Sequence, residues 1–200
     1  MVARSVGRWW PGVALLTLLA LLVATGGCHK SPPPFRGTAV EKVIWGRDFT
    51  LTSQSGAPFD TRSLHGKIQV VFFGFTQCPD ICTPTLTKLA QALQQLGPDA
   101  RQVQVLFVTV DPQHDTPAVL RKFLAGFDPT FIGLTGTAEQ LRAVAGNHMA
   151  YVQEATGPGH GITHTGTVFV KDRHGRMRLI IKESASVEDL VHDLRLAVRE

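Results

Sequence analysis

Cys78 and Cys82 are the residues whose type and spacing most clearly allow chemistry. They lie in the segment Gly74-Phe75-Thr76-Gln77-Cys78-Pro79-Asp80-Ile81-Cys82. As thiolates, two such cysteines can bind a soft metal ion or exchange with the disulfide of a partner protein. The three intervening residues leave room for an ion or a disulfide, but two small buried residues also occur at this spacing. Spacing alone therefore leaves all three interpretations open.

The predicted elements on either side of this segment favour a functional site. Ile68–Phe75 is an almost continuous apolar run, which predicts a central strand covered on both faces. Thr83-Pro84 predicts an N-cap and a first helical residue, and leucines at helical spacing follow until Gly97. The cysteines thus lie beyond the carboxyl end of a strand, where open α/β sheets bind ligands, and near a helix N-terminus, which lowers a thiol pKa.

Strands and helices alternate along much of the remaining sequence. Val103–Val110 predicts a second buried strand, and helical patterns cover about Pro117–Ala125 and Thr137–Asn147. Hairpin signals occur around Ser53–Gly56 and around residues 172–175, the second followed by a last amphipathic helix. The order predicts an α/β fold in which helices flank a central mixed sheet and a β-hairpin precedes it.

Eight histidines compete for the position of a third ligand. His164 directly precedes an apolar strand, from which its side chain can face the end of the sheet that carries the cysteines. His160 lies in the Gly-rich loop and is the weaker candidate, and the pattern leaves His148 as core or surface. Ordinary surface positions are expected for His29, His65, His114, His174 and His192.

Residues 1–28 have the order of a secretory signal. Two arginines precede the uncharged run Pro11–Ala24, which as a helix would be shorter than the roughly 30 Å hydrocarbon core of a membrane. Gly26-Gly27-Cys28 resembles a bacterial lipoprotein cleavage box, so we expect export to the periplasmic side of a membrane and a lipid on Cys28. A cleaved signal without lipid and an uncleaved anchor remain alternatives. A Pro-rich tether is expected over residues 29–42 and one domain over 43–200.

Composition excludes several classes of protein. The sequence has 200 residues, 44% of them hydrophobic, which is enough apolar material for one core and argues against a disordered chain. Its formal net charge is +4, and without the two arginines of the signal it is +2, too little and too scattered for a nucleic-acid surface. With three cysteines it is not a disulfide-stapled scaffold.

Several motifs together resemble the Sco/SenC family. Besides the cysteine segment, they are Val108-Thr109-Val110-Asp111-Pro112 with Asp115-Thr116-Pro117, Phe127-Asp128-Pro129, Phe131–Gly136, and His164 before Val168-Phe169-Val170. The resemblance implies a thioredoxin-like fold. It also implies a metallochaperone that carries copper, as Cu(I), Cu(II) or both, to the binuclear copper centre of cytochrome c oxidase. The implied partners are the copper-bearing subunit of that oxidase and other copper chaperones or thiol reductants.

By position, the resemblance makes Cys78, Cys82 and His164 the copper ligands. Two thiolates and one imidazole are a soft set that suits copper, whereas a structural zinc site usually has four protein ligands. Family members usually have Pro after the second cysteine and Asp before the histidine, where this sequence has Thr83 and Thr163. The missing acid could loosen the imidazole. Asp111, at the end of the neighbouring strand, is a candidate for that outer position, or simply a loop residue.

Two other functions remain open from the sequence. An exported thiol-disulfide oxidoreductase could use Cys78 and Cys82 as a redox pair, with or without a copper role. Against it, no proline directly precedes the strand after His164, where thioredoxin relatives have one. A lipid-anchored interaction module without chemistry would leave the cysteines and the histidine unexplained. We therefore expect a metallochaperone rather than an enzyme.

Overall fold

The computed structural model describes residues 34–41, 43–154, 162–164 and 166–200, with the backbone alone for 153–154 and 162–164. Residues 34–200 fall in one compact unit. The predicted signal with Cys28, residues 29–33 and 42 of the predicted tether, and His160 lie outside the described residues. No helix among the described residues is long and apolar enough to cross a membrane.

Ten strands and four α-helices are present in the part of the chain that the structure describes. The strands are β1 (Thr38–Ala39), β2 (Thr50–Ser53), β3 (Pro58–Asp60), β4 (Ile68–Gly74), β5 (Val103–Thr109), β6 (Ile132–Thr135), β7 (Val152–Glu154), β8 (Ile162–His164), β9 (Val168–Lys171) and β10 (Met177–Ile181). The helices are α1 (Cys82–Leu96), α2 (Pro117–Leu124), α3 (Ala138–Asn147) and α4 (Val187–Arg199). Short 3₁₀ turns cover Thr61–Leu64 and Gly97–Gln102.

Eight of the strands form one mixed sheet in the order β1, β10, β9, β4, β5, β6, β2, β3. Its centre is parallel: Ile68 of β4 is in register with Val103 of β5, and Leu106 of β5 with Ile132 of β6. The remaining neighbours in this sheet pair antiparallel. β7 and β8 form a separate antiparallel pair. The predicted mixed sheet and its N-terminal hairpin, β2–β3, are confirmed.

β4 and β5 are buried along their whole length because the sheet has a core on each face. Alternate side chains of a strand point to opposite faces, so Val70 and Phe72 enter one core while Val71 and Phe73 enter the other. The first core is completed by apolar residues of α1, α2 and α4, and the second by those of α3. A strand buried on both faces explains the unbroken apolar runs seen in the sequence.

Helix α1 begins earlier than the sequence indicated. It was expected to start at Thr83-Pro84, but its first residue is Cys82, and its N-cap Ile81 makes no side-chain capping hydrogen bond. Pro84 is accommodated because the N–H groups of the first helical turn have no partner within the helix, so a residue without an N–H costs little there. The earlier start brings Cys82 into the helix itself.

The last helix holds the first part of the described chain. The carboxylate of Asp193 is fully buried in α4 and accepts hydrogen bonds from the backbone N–H groups of Arg36 (2.8 Å) and Gly37 (2.7 Å). The next residues form β1, where Thr38 is in register with Ile180 of β10. These contacts attach residues 36–39 to the edge of the sheet and to its last helix.

Candidate metal centre

Cys78 and Cys82 come together at the carboxyl end of β4. Cys78 lies in the loop that follows the strand and is half-buried, whereas Cys82 opens α1 and has no exposed surface. The two thiols are in hydrogen-bonding contact, and no disulfide joins them. This is the strand-to-helix position that the sequence predicted for the pair, and it presents one sulfur to solvent while the other is covered.

The two sulfurs differ in acidity. Burial alone would raise the pKa of Cys78, but the Cys82 thiol and backbone N–H groups of residues 80–82 donate to its sulfur and bring the pKa below its ordinary value. Burial raises the pKa of Cys82, and negative charge at Cys78 and Asp115 adds to that effect. Of the two cysteines, Cys78 therefore loses its proton more readily, and its sulfur is the one that solvent reaches.

Gly74 allows Cys82 to pack against the end of β4. A Cβ atom at position 74 would lie 2.6 Å from the Cys82 Sγ and 2.8 Å from the ring of Phe107. Both neighbours are fully buried, so neither can move away at low cost. A glycine at the end of the apolar run is therefore a requirement of the cysteine site, which the sequence shows only as one residue of a motif.

Gly74→Ala should destabilise the fold and disturb the pair of sulfurs. We expect the free energy of unfolding in urea to fall by about 1–3 kcal/mol, the usual cost of overpacking a core. Gly146→Ala is the matched control, because a Cβ at this position of α3 meets nothing within 4 Å. An unchanged unfolding midpoint for Gly74→Ala would contradict the close packing of Cys82 against β4.

Two residues that sequence reasoning passed over contact each other beside the cysteines. Asp115 has no exposed surface, and its carboxylate accepts hydrogen bonds from Thr76 and Thr109. Thr76 belongs to the loop that carries Cys78. In the sequence Asp115 is an acid just before the Thr-Pro that opens α2, and nothing in that pattern indicates burial. Its role emerges only from a contact across 39 positions of the chain.

Asp111 makes a different set of contacts. Its carboxylate accepts a hydrogen bond from His114 Nδ1 at 2.7 Å, and its backbone N–H donates to Thr109 Oγ1 at 2.9 Å. Among the described residues, the carboxylate that bonds to the cysteine loop is that of Asp115. An outer role of Asp111 toward the histidine ligand stays a prediction.

For His164 the structure gives the backbone position in β8, in register with Val152 of β7. Val152 lines an apolar groove of about 320 Å³ together with Val110 and Pro112, which follow β5. The end of β5 lies beside that of β4, since the Val110 N–H donates to the Gly74 carbonyl. The β7–β8 pair is thus attached at the sheet end that carries the cysteines. Participation of His164 in the site stays a prediction.

The other described histidines lie elsewhere. His148 is buried in the second core, His65 contacts Asp48, and His192 contacts Asp193. His174 is exposed in the β9–β10 turn. Among the described residues, no group of three or more His, Cys, Asp or Glu side chains is arranged to hold a metal ion. Of the predicted ligand set, the structure therefore shows only the two cysteines together.

The family model for SCO1/SenC matches residues 38–199 of this sequence. The chain belongs to the SCO1/SenC family. A relative, the SCO2-like protein of Rickettsia felis, is 30% identical over 177 residues, which cover 82% of this chain and 86% of that protein.

Solved structures of the SCO1/SenC family agree with this fold. Bradyrhizobium japonicum ScoI with copper bound is 34% identical and has a TM-score of 0.69, covering 76% of this chain and 98% of that one. Yeast Sco1 with copper bound is 30% identical and has a TM-score of 0.70, covering 78% of this chain and 89% of that one. The thioredoxin-like α/β fold implied by the sequence resemblance is confirmed.

Proposed function

We propose that this protein is a copper metallochaperone that uses Cys78, Cys82 and His164 to carry copper for the assembly of cytochrome c oxidase. The observation that carries the proposal is the pair of thiols in contact at the start of α1, in a chain whose family includes copper-bound structures. Two sulfur donors suit a copper ion, which the protein would carry to another protein rather than keep as a cofactor. The copper-bearing subunit of the oxidase is the proposed acceptor, with other copper chaperones or thiol reductants as further partners.

The arrangement of the sulfurs supports the capture of an ion. Thiols must lose their protons to bind copper, and the lowered pKa of Cys78 makes a thiolate available at the exposed side of the site. Cys82 is covered by β4 and Phe107, so its position is set by the core.

The proposed setting is the periplasmic side of a bacterial membrane, with attachment through a lipid on Cys28.

The test is anaerobic copper loading of the reduced protein and of three variants, Cys78→Ser, Cys82→Ser and His164→Ala. Each variant should lose more than about 100-fold in copper affinity, because removing a ligand costs more than the 10–100-fold typical of its outer partners. Affinity is measured by competition with a chromophoric chelator. His174→Ala, an exposed histidine in a turn, is the matched control and should bind as the parent does. Equal copper retention by all the proteins would refute the site.

The different acidities of the two sulfurs also favour a second candidate, a thiol-disulfide oxidoreductase. The Cys78 thiolate would attack a partner disulfide and release one partner thiol, and the Cys82 sulfur would then displace the second, leaving Cys78 and Cys82 oxidised to a disulfide. Turnover in an insulin-reduction assay by His164→Ala, together with no copper transfer by the parent, would favour this candidate over copper delivery.

A further inference from the structure

The buried carboxylate of Asp115 connects the centre of the sheet to the loop that carries Cys78. Thr76 donates to it twice, through its backbone N–H at 3.0 Å and through its hydroxyl at 2.6 Å. Thr109, the last residue of β5, donates a third hydrogen bond at 2.6 Å. Because Asp115 has no exposed surface, these donors replace the water that would otherwise solvate its charge.

The connection from this carboxylate to the first cysteine is short. Thr76 precedes Cys78 by two residues, and the Cys78 N–H donates to the carbonyl of Phe75 at 3.2 Å. With both of its donors held by one carboxylate, Thr76 has little freedom to rotate. The bonds to Asp115 therefore set the direction in which the chain leaves β4 and reaches Cys78.

Asp115 is itself held from two sides. Its backbone N–H donates to the carbonyl of Asp111 at 2.9 Å, and the next residue, Thr116, is the N-cap of α2. Thr109 is in register with Gly74, the residue of β4 that accommodates Cys82. The carboxylate thus attaches the Cys78 loop to the same end of the sheet against which Cys82 packs.

We infer that Asp115 is a positioning residue of the proposed copper site, which acts through Thr76 to hold Cys78 at a fixed place relative to Cys82. The part of this inference that concerns copper binding rests on the proposed function. Metal ligands bind tightly when partners outside the ligand set fix their orientation in advance. Here the partner acts on the backbone of the loop rather than on the ligand side chain. A role confined to stability is the competing explanation.

Asp115→Asn separates these explanations because it keeps the size of the side chain and replaces one acceptor oxygen by a donor group. We expect copper affinity to fall about 10–100-fold, as for other losses of an outer partner. Asp193→Asn is the matched control, since it removes an equally buried carboxylate that accepts two backbone hydrogen bonds remote from the cysteines. It should lower stability in urea and leave copper affinity within about twofold of the parent.

A second measurement uses the metal-free protein. The amide hydrogen of Thr76 should exchange faster in Asp115→Asn than in the parent and should be unchanged in Asp193→Asn. If Asp115→Asn does not fold, Thr76→Val tests the same link, because it removes the 2.6 Å hydroxyl bond and leaves the carboxylate bonded to Thr109. It should weaken copper binding in the same direction.

The outcomes separate this inference from the proposed function. Copper affinity within twofold of the parent for Asp115→Asn, or for Thr76→Val where the first does not fold, overturns the positioning role. The same holds if Asp193→Asn loses as much affinity as Asp115→Asn, since stability alone would then explain the loss. If the parent binds no copper, the proposed function fails, and Thr76 exchange alone decides whether Asp115 orders the loop.

Discussion

Replacing Asp48 with Asn should lower the free energy of unfolding by about 3 kcal/mol at pH 7, because it leaves a buried ammonium group without a counter-ion. Lys171 has no exposed surface, and its Nζ donates to Asp48 Oδ1 at 3.0 Å. Burial lowers the pKa of Lys171, and the neighbouring carboxylate opposes that effect. Urea unfolding of the variant and of the parent gives the difference.

The opposite substitution, Lys171→Met, should cost less, about 1 kcal/mol. Asp48 keeps 22% of its side chain exposed and also accepts hydrogen bonds from Thr61 (3.1 Å) and His65 (2.8 Å), so it remains solvated when the lysine is removed. The double variant should recover most of the loss, because an apolar side chain then replaces the stranded charge.

A matched control for this pair is Glu200→Gln, which weakens an ion pair at the surface, where Arg178 bonds to both oxygens of Glu200. Its cost should stay below about 1 kcal/mol. Equal costs for Asp48→Asn and Lys171→Met would show that the burial of the lysine does not govern the energetics of the pair.

Acid should weaken the fold through His148, which the second core holds in its neutral form. The imidazole lies among Phe49, Phe73 and Phe169, and its Nδ1–H donates to the Val144 carbonyl at 2.9 Å. Burial lowers the pKa of His148 to about 4, and the positive charge of Lys171 acts in the same direction. Its Nε2 has no hydrogen-bond partner among the described residues.

The pH range of this effect follows from the different pKa values that the histidine has in the unfolded chain and in the folded protein. In the unfolded chain a histidine gains a proton near pH 6.5, whereas folded His148 does so only near pH 4. The stability that the neutral ring contributes is complete above about pH 6.5, is lost progressively as the pH falls toward 4, and changes no further below that. At pH 4.5 the expected loss is about 2–3 kcal/mol relative to pH 7.5.

His148→Leu isolates this contribution. Leucine has a similar volume and no titration, and the Val144 carbonyl keeps the backbone N–H of residue 148 as a donor. The difference in unfolding free energy between pH 7.5 and pH 4.5 should therefore be about 2–3 kcal/mol smaller in the variant than in the parent. The exposed His174→Gln should leave that difference as in the parent. The same pH response in all three proteins would contradict the burial of a neutral His148.

Local patterns predicted most of the fold. The apolar runs of β4 and β5 and the helical spacing of leucines in α1 depend on periodicity, which neighbours along the chain already show. The predicted last helix also begins with a local signal: the side chains of Ser186 and Asp189 bond reciprocally to the backbone at the start of α4. For the same reason the two cysteines could be placed between β4 and α1 from the sequence.

The parts of the site and of the core that the sequence did not show depend on distant contacts. Thr76 meets Asp115 across 39 positions, and Lys171 meets Asp48 across 123. A polar residue at a strand end or in a loop is usually exposed, so no local rule marks Asp115 or Lys171 as buried. His148 remained open for the same reason, because its surroundings come from β4, β9 and the segment before β2.

The attachment of residues 36–39 to β10 and α4 has a consequence for the rate of folding. Both binding partners of this segment lie far along the chain: Thr38 is in register with Ile180 of β10, and the carboxylate of Asp193 lies 157 positions after Arg36. The centre of the sheet also contains a pairing between distant segments, since β9 pairs with β4 across about a hundred residues of chain. Pairings between residues so far apart in the sequence close long loops, so we expect this sheet to form more slowly than one built from neighbouring strands alone.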